Sequence, residues 1–79
     1  MEKNYIIVIN TKLKEKEVFI KNISAEEADE IGELFSDNYC YEKGDEIIIY
    51  EYVLISKNSA YSCYERKFFK KFEVTESEA

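Results

Sequence analysis

A chain of 79 residues makes one domain with a thin core, and 46% apolar with 15% aromatic residues is too apolar for a disordered segment despite 35% charge. The lack of proline, with only Gly32 and Gly44 as glycines, excludes collagen-like, linker-like and low-complexity readings. The formal net charge of −6 runs against the basic footprint of nucleic-acid binders, so direct nucleic-acid binding is not expected.

In chain order, Tyr5-Ile6-Ile7-Val8-Ile9 is a β-branched run, apolar on both faces, and predicts a central strand. Lys12 to Glu15 fits a turn, and Glu17 to Lys21 reads as a second strand pairing with the first as an antiparallel hairpin. Ser24 to Phe35 predicts a helix. Ser24 and Glu27 have capping-box spacing, and Ile23 is placed to pack back on Ala28. Ala28, Ile31, Leu34 and Phe35 recur at helical spacing and are expected to face the sheet, with Gly32 allowing close approach.

Asp37 to Asp45 reads as a loop with Gly44 in its turn. Glu46 to Ser56 reads as a long strand and Lys57 to Ser59 as a turn. In Ala60 to Val74, the positions Tyr64, Phe68, Phe72 and Val74 fit one face of a strand. Ser62 with Glu65 fits a second capping box, but aromatic enrichment favours one bent strand or two short ones. The expectation is therefore one α+β domain over residues 1–74 and a frayed acidic tail over 75–79. The domain has two layers: a four-stranded, mostly antiparallel sheet with one helix packed on one face. The strand–strand–helix–strand–strand order resembles the β-grasp arrangement. That likeness implies a topology and no particular function.

Three features bear on function. Charge is segregated: residues 1–21 carry +2, 22–56 carry −9, 57–72 carry +4 and the rest −3. The acidic block gathers on the outer helix face (Glu26, Glu27, Glu30, Glu33) and the following loop (Asp37, Glu42, Asp45), where it can steer a basic partner or serve capping and solubility. Second, the odd positions Ile47, Ile49, Val53 and Ile55 form the better core set, with Glu51 as the awkward member. That leaves Tyr50 and Tyr52 on the uncovered face, joined by Tyr64 and Tyr61. Cross-strand aromatic pairing is the plain alternative. Third, Arg66, Lys67, Lys70 and Lys71 interleave with Phe68, Phe69 and Phe72. That pattern stacks bases and holds phosphates in single-strand binders, and elsewhere protects a strand edge.

No histidine, no Cys-x-x-Cys and no glycine-rich phosphate loop occur, so no enzyme activity, cofactor or metal is expected. The longest nearly apolar run, Ile47 to Ile55, is too short to cross a bilayer as a helix, and Met1 to Asn4 shows no secretory signal. A cytoplasmic setting follows, with Cys40 and Cys63 as free thiols; a disulfide between them is the alternative in an exported chain.

Small, acidic, cofactor-free domains of this composition resemble phage-encoded anti-defence proteins, including anti-CRISPR proteins and DNA mimics. The resemblance implies an inhibitor that occupies a basic surface of a larger protein, a nuclease or another nucleic-acid-binding complex. Glu26, Glu27, Glu30, Glu33 and Asp37 would then stand in for phosphates, and Tyr50, Tyr52 and Tyr64 would add contact area. The alternatives are an immunity or antitoxin-like protein that neutralises a basic toxin, a weak nucleic-acid binder through residues 66–72, and a homodimer formed through the open sheet or an edge strand.

Overall fold

Residues 2–58 and 62–75 are described by the structure, a computed structural model. The elements are β1 (Lys3–Asn10), β2 (Glu15–Ile23), α1 (Ala25–Tyr39), β3 (Glu46–Lys57) and β4 (Ser62–Glu73). The strands form one sheet in the order β2-β1-β3-β4, and every pairing is antiparallel. The helix lies across one face, giving the expected two-layer α+β architecture. The likeness to the β-grasp arrangement rests on element order and layering. The central pair here, β1 and β3, is antiparallel.

Registry explains the core. Ile7 lies opposite Ile49 and Ile9 opposite Ile47, so all four side chains point to the same side of the sheet. There they meet Ala28 and the backbone of Gly32, and all of these residues are buried. A Cβ added at Gly32 would lie 2.5 Å from Ile49 Cδ1 and 2.8 Å from Phe72 Cε2, so glycine sets how closely the helix approaches.

Ser24 caps α1 as expected. Its hydroxyl accepts from the Glu27 N–H at 3.1 Å, and the Glu27 carboxylate accepts from the Ser24 N–H at 3.2 Å. The helix runs four residues past the expected end, so Asp37 lies in its last turn and not in a loop. Two contacts hold that extra turn: the Phe35 and Tyr39 rings, one turn apart, meet edge-on at 5.9 Å, and Asn38 Nδ2 donates to the Leu34 carbonyl at 2.8 Å. Leu34, expected in the core, is 57% exposed. The buried line is Ala28–Gly32, flanked by Ile31 and Phe35, and Leu34 falls about 100° away from Phe35 around the helix.

β4 is one bent strand and not a helix. Between Ile49 and Tyr50 the pairing skips a residue: Ile49 faces Lys70, but Tyr50 faces Phe68. This bulge reverses the alternation beyond it, so Phe72 packs on the helix side with Phe69, while Tyr64 and Phe68 point the other way. The expectation that Tyr64, Phe68 and Phe72 share a face fails for that reason.

The odd-numbered core set of β3 also ends early. Val53 is half-buried and Ile55 is 61% exposed. A 15-residue helix spans about 22 Å, whereas a 12-residue strand spans roughly 40 Å, so the outer β3–β4 hairpin reaches past the helix. Glu51 stands at that boundary, half-buried, and its carboxylate meets Lys3 Nζ at 3.0 Å.

Asp45, expected among the acidic loop groups, instead turns inward. Its carboxylate accepts from the N–H groups of Glu42 at 3.0 Å, Tyr41 at 3.1 Å and Lys12 at 3.3 Å. Those backbone donors hold the acid below the usual carboxylate range. A depressed folded-state pKa stabilises the fold at pH above the ordinary value and loses that contribution as pH falls through the folded value. Asp45→Asn is therefore expected to lower the urea midpoint at neutral pH. The gap to the unsubstituted protein should close as pH falls below about 4, which urea titrations at several pH values will read.

Candidate binding surfaces

On the face away from the helix, alternation places Ile6, Val8, Ile48, Tyr50 and Tyr52 of the inner strands. β2 contributes Phe19, opposite Ile6, and β4 contributes Phe68, opposite Tyr50, and Tyr64, opposite Leu54. The rings form two groups, Phe19–Tyr52–Tyr64 and Tyr50–Phe68. Tyr52 stacks on Tyr64 at 4.6 Å with planes 6° apart, Phe19 meets Tyr52 edge-on at 5.2 Å, and Tyr50 meets Phe68 edge-on at 6.4 Å. Phe68 is 60% exposed, and Phe19 and Tyr64 are each 45% exposed.

Arg66 and Lys71 on this face pair with carboxylates of the same face. Arg66 Nη2 lies 2.6 Å from Glu17 Oε1, a bridge from one edge strand to the other, and the guanidinium sits 6.0 Å from the centre of the Tyr50 ring. The hydrogen bond to Glu17 raises the Arg66 pKa further. At one end Lys71 meets Glu46 at 3.2 Å and Glu73 at 3.4 Å, and Asn10 Nδ2 donates to Glu46 at 3.0 Å.

The opposite surface of the molecule is acidic. Glu26, Glu30, Glu33 and Asp37 follow one another at intervals of four, three and four residues, so they form a single exposed stripe along α1. Among the described residues none of the four is in an ion pair. The last turn contains no basic residue. The stripe excludes some of the expected carboxylates: Glu27 holds the cap, Asp45 is buried, and Glu42 pairs with Lys12 at 3.2 Å.

The structure thus gathers Tyr50, Tyr52 and Tyr64, and separately gathers Glu26, Glu30, Glu33 and Asp37. It does not bring the two groups together. The sheet lies between them, so one flat contact cannot engage both. Tyr61, expected beside the other tyrosines, lies outside the described residues, as does the tail beyond Thr75. Phe19, Glu17 and Arg66 are the members of the open face that sequence reasoning missed. Their signal lay in strand register, which a single sequence does not display.

The basic–aromatic segment is largely occupied internally. Arg66 is held by Glu17, Lys70 by Asp29 at 2.6 Å, and Lys71 by two carboxylates. Three of its four cations therefore face carboxylates of the same chain. A hollow of about 240 Å³ lies between the β1–β2 turn, Thr11–Lys14, and the aromatic pair Tyr39 and Tyr41. It is smaller than the roughly 300–1,000 Å³ of ordinary ligand pockets.

Among the described residues, no group of three or more histidine, cysteine, aspartate or glutamate side chains could hold a metal ion. No described helix is long and apolar enough to cross a membrane. Cys40 and Cys63 are free thiols; Cys40, half-buried at the helix C-terminus, has its pKa raised by burial. No family model, curated protein or solved structure matches this chain.

Proposed function

We propose that this chain is a small inhibitor-type binding module, acting in the cytoplasm, that occupies a basic surface of a larger nucleic-acid-binding protein through the carboxylate stripe of α1. The observation that carries this reading is the reach of the stripe. Capping and the helix dipole favour acids in the first turn only. Glu33 and Asp37 continue the line to the end of α1, where the dipole opposes them. Like charges one turn apart cost about 0.2–0.5 kcal/mol per pair, so Glu26–Glu30, Glu30–Glu33 and Glu33–Asp37 each weaken the helix. Solubility does not require four acids in one line.

The spacing suits a phosphate-binding surface. Successive carboxylates climb the helix by about 4.5–6 Å. A nucleic-acid strand places a phosphate every 3.4 Å along its axis, so the stripe offers about two charges for every three phosphates of a strand.

The test is affinity capture from the host with the unsubstituted chain and with the triple variant Glu30→Lys, Glu33→Lys, Asp37→Lys. The reading predicts that the captured protein is basic and is released by duplex DNA or raised salt. The triple variant should bind it roughly a hundredfold more weakly, on the order of 1 kcal/mol per reversed charge. Capture of the same protein at equal affinity by the variant contradicts it. A companion effect has the opposite sign. Glu33→Lys alone replaces two repulsions with two attractions and should stabilise the chain by about 1 kcal/mol in thermal unfolding while weakening that capture.

A further inference from the structure

We infer that the outer edge of β2 pairs with β2 of a second copy of this chain, antiparallel and about a two-fold axis through Phe19, so that the sheet continues from one copy into the other. Binding through α1 leaves this edge untouched, and the inference stands apart from that reading.

Among the described residues no strand flanks the outer side of β2, and α1 packs chiefly on β1, β3 and β4. The outward backbone groups of this nine-residue strand therefore form an open edge. Edge strands are ordinarily guarded by charges or bulges. The other edge, β4, has both: Lys67, Lys70 and Lys71, and two register shifts. In the middle of β2, Val18, Phe19 and Ile20 follow one another with no charge between them, and the register shift lies at the strand's end, opposite Lys3 to Tyr5.

The occupant follows from register. Val18 and Ile20 point to the helix side, opposite Ile7 and Tyr5, while Glu17, Phe19 and Lys21 point to the other side. Directly opposed residues of antiparallel strands share a face, so a two-fold axis must pass through a residue and not between two. Centred on Phe19, the strand sets Phe19 against Phe19, Val18 against Ile20, and Glu17 against Lys21, the last two pairs each made twice. Centred on Val18, it sets Glu17 against Phe19 and Lys16 against Ile20. Centred on Ile20, it sets Lys21 against Phe19 and Asn22 against Val18. Centred on Glu17 or Lys21, it sets like charges face to face. Over residues 17–21 the Phe19 register alone matches apolar with apolar and each charge with its opposite.

The charges it needs are at hand. Among the described residues Lys21 is in no ion pair. Glu17 holds Arg66 through Oε1, which leaves Oε2 for Lys21 of the second copy. Main-chain bonds along the joined edge supply the affinity, and the side-chain pairs supply the register. The axis puts both α1 helices on one side of the joined sheet, antiparallel to each other.

Two measurements on the full chain test the pairing. Sedimentation equilibrium from micromolar to submillimolar concentration is expected to show the mass doubling. Lys21→Glu sets acid against acid and Glu17→Lys sets base against base, so each should raise the dissociation constant about tenfold. An equimolar mixture of these two variants regains both pairs and should form a 1:1 heterodimer. The second measurement is cross-linking in a Cys40→Ser, Cys63→Ser background. Phe19→Cys places the two thiols on opposed residues whose Cα atoms lie about 4.5–5.5 Å apart, within disulfide reach. In Lys21→Cys the two lie four residues out of register, about 13 Å apart. Mild oxidation should therefore cross-link Phe19→Cys at least about tenfold faster. Circular dichroism confirms that each variant is folded. The stripe variant Glu30→Lys, Glu33→Lys, Asp37→Lys should still dimerise, so the pairing and the capture by α1 can fail separately. A monomer at all concentrations overturns the inference, as does a mixture that forms no heterodimer, or Phe19→Cys cross-linking no faster than Lys21→Cys.

Discussion

Ile49→Ala is expected to cost about 2–5 kcal/mol of folding free energy. Ile49 is fully buried and sits where all three packing elements meet. It lies opposite Ile7 on β1, under Gly32 of α1, and beside the Phe72 side of β4. Removing its side chain leaves a cavity under Gly32, at the close helix–sheet contact. A chain of this length has a total stability of about 4–12 kcal/mol, so this one change removes a large share and leaves part of the population unfolded at 37 °C. Urea denaturation followed by circular dichroism gives the value. A loss below about 1 kcal/mol would mean that α1 does not seat on Ile49 as described.

Gly32→Leu should destabilise the protein by about 1–3 kcal/mol although leucine is the better helix former. The two effects oppose each other, and their sizes decide the outcome. Helix propensity favours leucine over glycine by about 0.8–1 kcal/mol. Against that, even the first added carbon would stand 2.5 Å from Ile49 Cδ1 and 2.8 Å from the Phe72 ring, with three more carbons beyond it. The helix must lift from the sheet or Ile49 must leave its rotamer. Thermal unfolding should show a lower midpoint and lost near-ultraviolet aromatic signal. A higher midpoint would show that propensity outweighs packing here and that the close approach is not real.

Much of this architecture is legible in local chemistry. The capping box at Ser24 and Glu27 marks the helix start, and the two-sided apolar run of β1 marks an inner strand. Alternation along Glu46–Lys57 puts Tyr50 and Tyr52 on the face opposite Ile47 and Ile49. What escapes such reading depends on partners distant in sequence. The end of α1 depends on the Phe35–Tyr39 ring contact. The phase of β4 depends on a bulge beside Phe69 with no glycine to announce it. Phe19 and Glu17 belong to the open face only because of the β1–β2 register. The acids divide by what they touch: Glu27, Asp45 and Glu42 read like Glu30 and Glu33 in sequence, yet they serve the cap, the loop and an ion pair. The separation of tyrosines from carboxylates follows from two facts together, the helix on one side and the alternation of β3.

The central claim is that the two faces act independently. Titrating a short oligolysine peptide into the folded chain at low salt tests it most directly, with backbone amide and tyrosine ring signals followed together by NMR. The account predicts that amides from Glu26 to Asp37 shift with a steep salt dependence while the ring signals of Tyr50, Tyr52 and Tyr64 stay in place. Ring signals that move with the helix amides, or that move alone, would contradict it.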